Sequence, residues 1–183
     1  MRITIHLEQK RFFRRSGYIL FEDLISEEEG LVLLKGIRKH LKDKNNDPRF
    51  SQDIYRLLPE IVALLRKRKL GQIAVELSGR SSLALVGDLF VENAQQGSFY
   101  SISSDEGSSN DVLSLSGKLQ RTLKSDSADC YLVLYLNSLE HKCCGIYFSD
   151  SLPENMSFLL PGEAALCLAF SDRGSNAASP LFK

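Results

Sequence analysis

The alternation of apolar and polar positions divides the chain into a helical first part and a strand-rich second part. Ile3 to Leu7 reads as a short β-prone start, followed by the aromatic, basic stretch Phe12-Phe13-Arg14-Arg15. Gly17 then introduces Tyr18-Ile19-Leu20-Phe21, an apolar run of strand character. Ser26 opens a helix for local reasons. With Glu29 it spells an S-x-x-E capping box, Glu27 and Glu28 sit on the positive dipole end, and Leu31, Leu34, Ile37 and Leu41 recur at three- and four-residue spacing. Asn45, Asn46 and Asp47-Pro48 stop it. The spacing predicts a second helix from about Ser51, with Ile54, Leu57, Leu58, Ile61, Leu64 and Leu65 on one face. Arg66-Lys67-Arg68-Lys69 closes it before Gly71, where the cations favour the negative dipole end, a reading preferred over a DNA or phosphate patch. A third helical piece, Gln72 to Leu77, ends at Gly79.

Beyond Ser81 the pattern changes to short β-rich runs between Gly, Ser, Asn and Asp clusters. These are Leu83 to Val91, Ser98 to Ile102, Val112 to Leu115, Tyr131 to Leu136, Ile146 to Phe148, Phe158 to Leu160 and Ala165 to Phe170. Helices first and strands later predict an α+β fold, with the helices on one face of a sandwich or barrel. The Ser/Gly/Asp-rich segment Ser101 to Ser116 is the expected mobile loop. With 183 residues, 43% of them hydrophobic, the chain suits one domain, 1–183, mainly helical over 1–80 and β-rich over 81–183. No apolar run of about 18 residues occurs, and Met1 to Lys10 mixes charged and apolar residues, so neither a membrane span nor a secretory signal is expected. Residues 1–80 hold 17 Lys/Arg against 11 Asp/Glu, and the remainder 6 against 12. The basic residues spread over amphipathic helices, so a solvated face is expected rather than nucleic-acid binding. Cys130, Cys143, Cys144 and Cys167 form neither a disulfide framework nor a paired C-x-x-C zinc pattern, which places the protein in a reducing cytoplasm.

Three segments carry a family resemblance. The first is Phe13-Arg14-Arg15-Ser16-Gly17-Tyr18-Ile19-Leu20-Phe21 and the acidic helix start Glu27-Glu28-Glu29; the second is Tyr131-Leu132-Val133-Leu134-Tyr135-Leu136-Asn137; the third is Leu160-Pro161-Gly162-Glu163-Ala164-Ala165-Leu166. They resemble the opening, a central strand and the P-G-D/E turn of Fe(II)/2-oxoglutarate-dependent dioxygenases of the phytanoyl-CoA dioxygenase-like group. The resemblance implies a double-stranded β-helix (jelly-roll) core with the N-terminal helices packed on one side. It also implies an iron site of two imidazoles and one carboxylate, written H-x-D/E and then His far downstream.

The residues at the matching positions do not spell that site. The tripeptide Ser103-Ser104-Asp105 keeps the carboxylate but has a hydroxyl for imidazole, and Arg173-Gly174-Ser175 stands where the family has H-G-S. Guanidinium stays protonated and has no lone pair for a metal. The family's later Arg, which holds the oxoacid, falls at or beyond Lys183. The chain has three histidines. His6-Leu7-Glu8 spells H-x-E but precedes the Gly-Tyr strand and reads as a surface strand residue, while His40 complements the dipole in the last turn of the first helix. His141, Cys143 and Cys144 share a turn, too few ligands for a tetrahedral metal, with an exposed reactive thiol as a lesser reading. Asp105 with Glu106 or Asp111 reads as solvated loop acids, and no G-x-S-x-G, phosphate-loop or H-E-x-x-H motif occurs. The sequence therefore points to a dioxygenase-like protein without catalytic or metal residues, repurposed to bind a small molecule. Ser103, Asp105 and Arg173 would mark the degenerate site, and Arg173, if directed inward, would favour a small anionic ligand. No cofactor is expected on this reading. Fe(II) and 2-oxoglutarate belong to an alternative, an atypical oxygenase built on Asp105. A further alternative is a regulatory protein binding a protein partner or nucleic acid.

Overall fold

The computed structural model describes residues 5–43, 52–92, 128–137, 144–149, 163–172 and 180–183. Among them are four α-helices, α1 (Leu7–Ser16), α2 (Glu27–Asp43), α3 (Pro59–Lys67) and α4 (Leu70–Ser78), and a 3₁₀ turn at Ile54–Arg56. The strands are β1 (Tyr18–Phe21), β2 (Leu83–Glu92), β3 (Cys130–Asn137), β4 (Gly145–Phe148), β5 (Ala164–Ser171) and β6 (Leu181–Phe182). All pair antiparallel in one sheet of order β1-β4-β3-β5-β2-β6. The fold is α+β.

Alternation of side chains across the pleat gives the sheet two buried faces. On the helix side lie Leu83, Leu85, Leu132, Leu134, Leu168 and Phe170, packed with Leu34, Ile37, Ile61, Leu65, Ile73 and Leu77. On the other side Tyr131, Val133, Tyr135, Cys144, Ala165, Cys167 and Ala169 form a second cluster. The register pairs Leu132 with Leu168 and Val133 with Cys167, so each row stays on its face. An irregularity between Leu85 and Gly87 shifts the phase of β2 and places Asp88 opposite Leu168, on the helix side.

The expected helix at Ser26 forms with both halves of its capping box. The Glu29 amide donates to Ser26 Oγ at 3.2 Å, and the Ser26 amide donates to Glu29 Oε2 at 2.9 Å. Gly79 ends α4 with φ 73°, its amide donating to the Val75 carbonyl.

Three expectations need correction. The chain near His6 is no strand: His6 is the N-cap of α1, a helix that absorbs Phe12-Phe13-Arg14-Arg15 and turns at Gly17 with φ 76°. Phe13 is the buried residue of that helix, so a hydrophobic stripe was not there to be read; packing on α4, with Lys10 to Glu76 at 3.0 Å, holds it. The single helix from Ser51 is instead a 3₁₀ turn and α3, split at Pro59, whose missing N–H and restriction of Leu58 (φ −115°, ψ 89°) begin a new helix there. Leu57, expected on the apolar face, is consequently exposed. The expected strands Ser98 to Ile102, Val112 to Leu115 and Phe158 to Leu160, and the loop Ser101 to Ser116, lie outside the described residues.

Candidate functional site

Among the described residues, three polar side chains, Asp88, Glu163 and Ser171, are buried with the apolar core. Asp88 is fully buried and accepts the amides of Ile54 at 2.8 Å and Tyr55 at 2.6 Å, one on each carboxyl oxygen. This carboxyl ties the 3₁₀ turn to the middle of the sheet, where a Gln52–Leu89 bridge and the Asp53 amide on the Asp88 carbonyl add to the junction. Burial raises its pKa to about 7; the two amides and Arg56 pull it down and Asp53 pushes it up. The sequence signal was available, since an acid inside the apolar run Leu83 to Val91 must find donors or stay protonated.

The ends of β3, β5 and α4 meet in a second cluster. Asp129 Oδ2 accepts the Asp172 amide at 2.8 Å and Ser171 Oγ at 3.1 Å, and its Oδ1 accepts Arg80, which also reaches Asp172 at 3.2 Å. Burial opposes ionisation of Asp129, but the Asp172 amide, Arg80 and Ser171 outweigh it and hold the carboxyl below its ordinary range. These residues latch the two central strands beside the point where the chain proceeds to Arg173.

Ser103, Asp105, Glu106, Asp111 and Arg173 lie outside the described residues, as do His141 and Cys143. Cys144 is buried within the apolar cluster on the far face of the sheet, so the lesser reading of an exposed thiol does not apply to it. Burial pushes the Cys130 thiol well up and Cys167 up to about 12, so neither is a ready nucleophile. His6 caps α1 at the surface, and His40 sits in the last turn of α2 as expected; both are on helices. Among the described residues no three His, Cys, Asp or Glu side chains gather as a metal site.

The segments that carry the family resemblance all contribute to the sheet, β3 beside β5 and β1 separated from β3 by β4. The first supplies β1, the second β3 and the third leads into β5. Asn137, ending the second, accepts the Ala164 amide at 2.8 Å through Oδ1, which ties it to the third. The basic run also separates. Lys67 and Arg68 both pair with Glu29, at 2.9 and 2.6 Å, linking α3 to the start of α2, so this half serves tertiary structure as well as the helix dipole.

An α+β domain with an antiparallel six-stranded sheet and helices on one side is thus the class to which the protein belongs. The chain is a member of the family described as a domain of unknown function, DUF5070, whose model matches residues 1–120. It is similar to CT296 from Chlamydia trachomatis. The 2.5 Å structure of that protein, labelled with selenomethionine, is 29% identical with a TM-score of 0.67, covering 93% of this chain and 98% of that one. The 1.8 Å structure gives 28% identity, a TM-score of 0.67 and coverage of 94% and 98%. No curated protein matches. No helix among the described residues is long and apolar enough to cross a membrane.

Proposed function

We propose that this protein is a dioxygenase-like jelly roll that has given up iron chemistry and binds a small molecule without catalysing its oxidation. The observation that carries the reading is the placement of the histidines. An iron triad of this type takes two imidazoles from the strands of the core, and of the three histidines His6 caps α1 and His40 lies on α2. That leaves His141. The donor set at the family's own positions, Ser103, Asp105 and Arg173, supplies one carboxylate with a hydroxyl and a guanidinium, which does not fit Fe(II). The pairing of β3 with β5, the strands that hold the second and third quoted motifs, supports the dioxygenase-like architecture, and Arg173, two positions beyond the end of β5, supports an anionic ligand.

Metal analysis of protein purified without chelator, followed by a 2-oxoglutarate decarboxylation assay with added Fe(II), tests the loss of chemistry. Substoichiometric iron and background turnover are expected; one iron per chain with oxoacid consumption overturns the reading. Ligand binding is tested by thermal shift with 2-oxoglutarate and citrate on the parent and on Arg173→Gln. A rise in Tm that the variant loses supports the anion-binding role, and no response to either acid removes it.

A further inference from the structure

The other half of the basic run has no carboxylate partner among the described residues. Arg66 and Lys69, together with Gln72, Leu181, Phe182 and Lys183, line a cleft of about 340 Å³. It lies where α3 ends, α4 begins and β6 runs alongside. Whereas Lys67 and Arg68 turn to Glu29, no carboxylate side chain pairs with Arg66, Lys69 or Lys183 among the described residues. The side chains of the lining carry three positive charges and no negative one. Like charges gathered in a concavity repel one another, and no carboxylate side chain among the described residues offsets that cost.

The cleft is a built feature rather than a loose edge. Gly71 leaves room for the Phe182 ring, since a Cβ there would stand 2.2 Å from it, and Phe182 in turn packs edge-on against Phe170. Tyr147 donates its hydroxyl to the Leu70 carbonyl at 2.9 Å, fixing the first turn of α4 to the sheet. The Leu85 amide on the Pro180 carbonyl and the pairing of Leu181 with Ala84 pin the opposite wall. Lys69 reaches its place through a left-handed backbone, φ 56°, a conformation that glycine would adopt with less strain. Leu181, about half exposed at 53%, adds an apolar lip.

We infer that this cleft is a binding site for a phosphomonoester, with the phosphate held by Arg66, Lys69, Lys183 and the Gln72 amide and the body of the ligand laid on Leu181. Cations on three separate side chains suit a dianionic, tetrahedral group, whereas a monocarboxylate would be satisfied by Arg66 alone. The site lies between α3, α4 and β6 and does not depend on the anion-binding role proposed for Arg173.

Titration calorimetry of the full chain at low salt with phenyl phosphate and with benzoate provides the test. Saturable one-to-one binding of phenyl phosphate is expected, at least tenfold tighter than benzoate. Arg66→Gln and Lys69→Gly should each weaken it at least tenfold, and Lys69→Gly should keep or raise Tm, because it relieves the left-handed strain while removing the charge. Lys183→Gln, at an exposed side chain, gives a third variant with little to unfold. Absence of saturable binding to phenyl phosphate and to vesicles alike overturns the inference, as does binding that the variants leave unchanged or that Arg173→Gln abolishes. Sedimentation with phosphatidylcholine vesicles containing phosphatidic acid identifies the source of the group. Capture that requires Arg66 and Lys69, without binding of free phenyl phosphate, assigns the phosphomonoester to a lipid headgroup.

Discussion

Replacing Asp88 with asparagine isolates the role of the buried carboxyl. In the parent, both oxygens accept, from Ile54 and Tyr55. An amide keeps one acceptor and turns an NH2 toward the other donor, leaving buried groups unsatisfied at a cost of about 1–3 kcal/mol. For a chain of this length that is about 4–8 °C in Tm for the middle of the range. The size of the loss depends on pH. The folded carboxyl keeps its proton up to about 7, whereas the unfolded one releases it near 3.8, so the native state binds more protons between those values. Stability from this group is therefore full below about pH 4 and declines as pH rises to 7, by at most about 4 kcal/mol. Asparagine does not titrate, so Asp88→Asn should be less stable than the parent at pH 5, and the gap should narrow or invert by pH 8. Urea unfolding followed by circular dichroism at half-unit pH steps measures both curves. A gap that stays constant or widens with pH refutes the assignment of a protonated carboxyl in the core, and no loss at pH 5 refutes the anchoring role.

Glu29 should dominate the acid limb. Burial opposes its ionisation, but hydrogen bonds from Arg68, Lys67 and the Ser26 amide outweigh this and lower its pKa from 4.5 to about 2, so its contribution is present above 4.5 and lost as pH falls toward 2. After solvent screening this is about 1–2 kcal/mol, and Glu29→Gln should flatten the fall in stability below pH 4.5 in acid titrations. Gly71→Ala should lower stability by about 1–3 kcal/mol in urea, since its methyl would meet Phe182. Gly36→Ala, on the same layer but in α2 with its nearest contact 4.0 Å away, should raise stability by about 0.5–1 kcal/mol; equal responses would contradict the close approach at Gly71.

The strands were legible because both faces are buried: β3 and β5 are nearly continuous apolar runs, and β2 is one interrupted at Gly87 and Asp88. Strand β6 has two residues and no such signal, and α1 has one buried side chain, so tertiary contacts and not periodicity define them. Pro59 was visible in the sequence and its effect was overridden there by the tempting spacing of Ile54, Leu57 and Ile61. Asp88 stood out as an acid among apolar neighbours, yet its partners are backbone amides 33 and 34 positions away, which no side-chain motif encodes. The resemblance motifs found their strands, whereas Ser103, Asp105 and Arg173 lie outside the described residues.

The division of Arg66-Lys67-Arg68-Lys69 shows why a linear reading could not have found the cleft. Glycine is the usual residue at a left-handed helix end, so the sequence places the stop at Gly71 and treats the four cations as the last turn of one helix. The chain turns instead at Lys69. Gly71 is spent on admitting Phe182, a contact with a strand 111 positions downstream that the local pattern cannot report. Once the turn is at Lys69, Lys67 and Arg68 face Glu29 on α2, while Arg66 and Lys69 face β6 and the end of the chain. Four residues of one charge in a row thus do two different things: one pair is neutralised within the fold, and the other keeps its charge for something outside it.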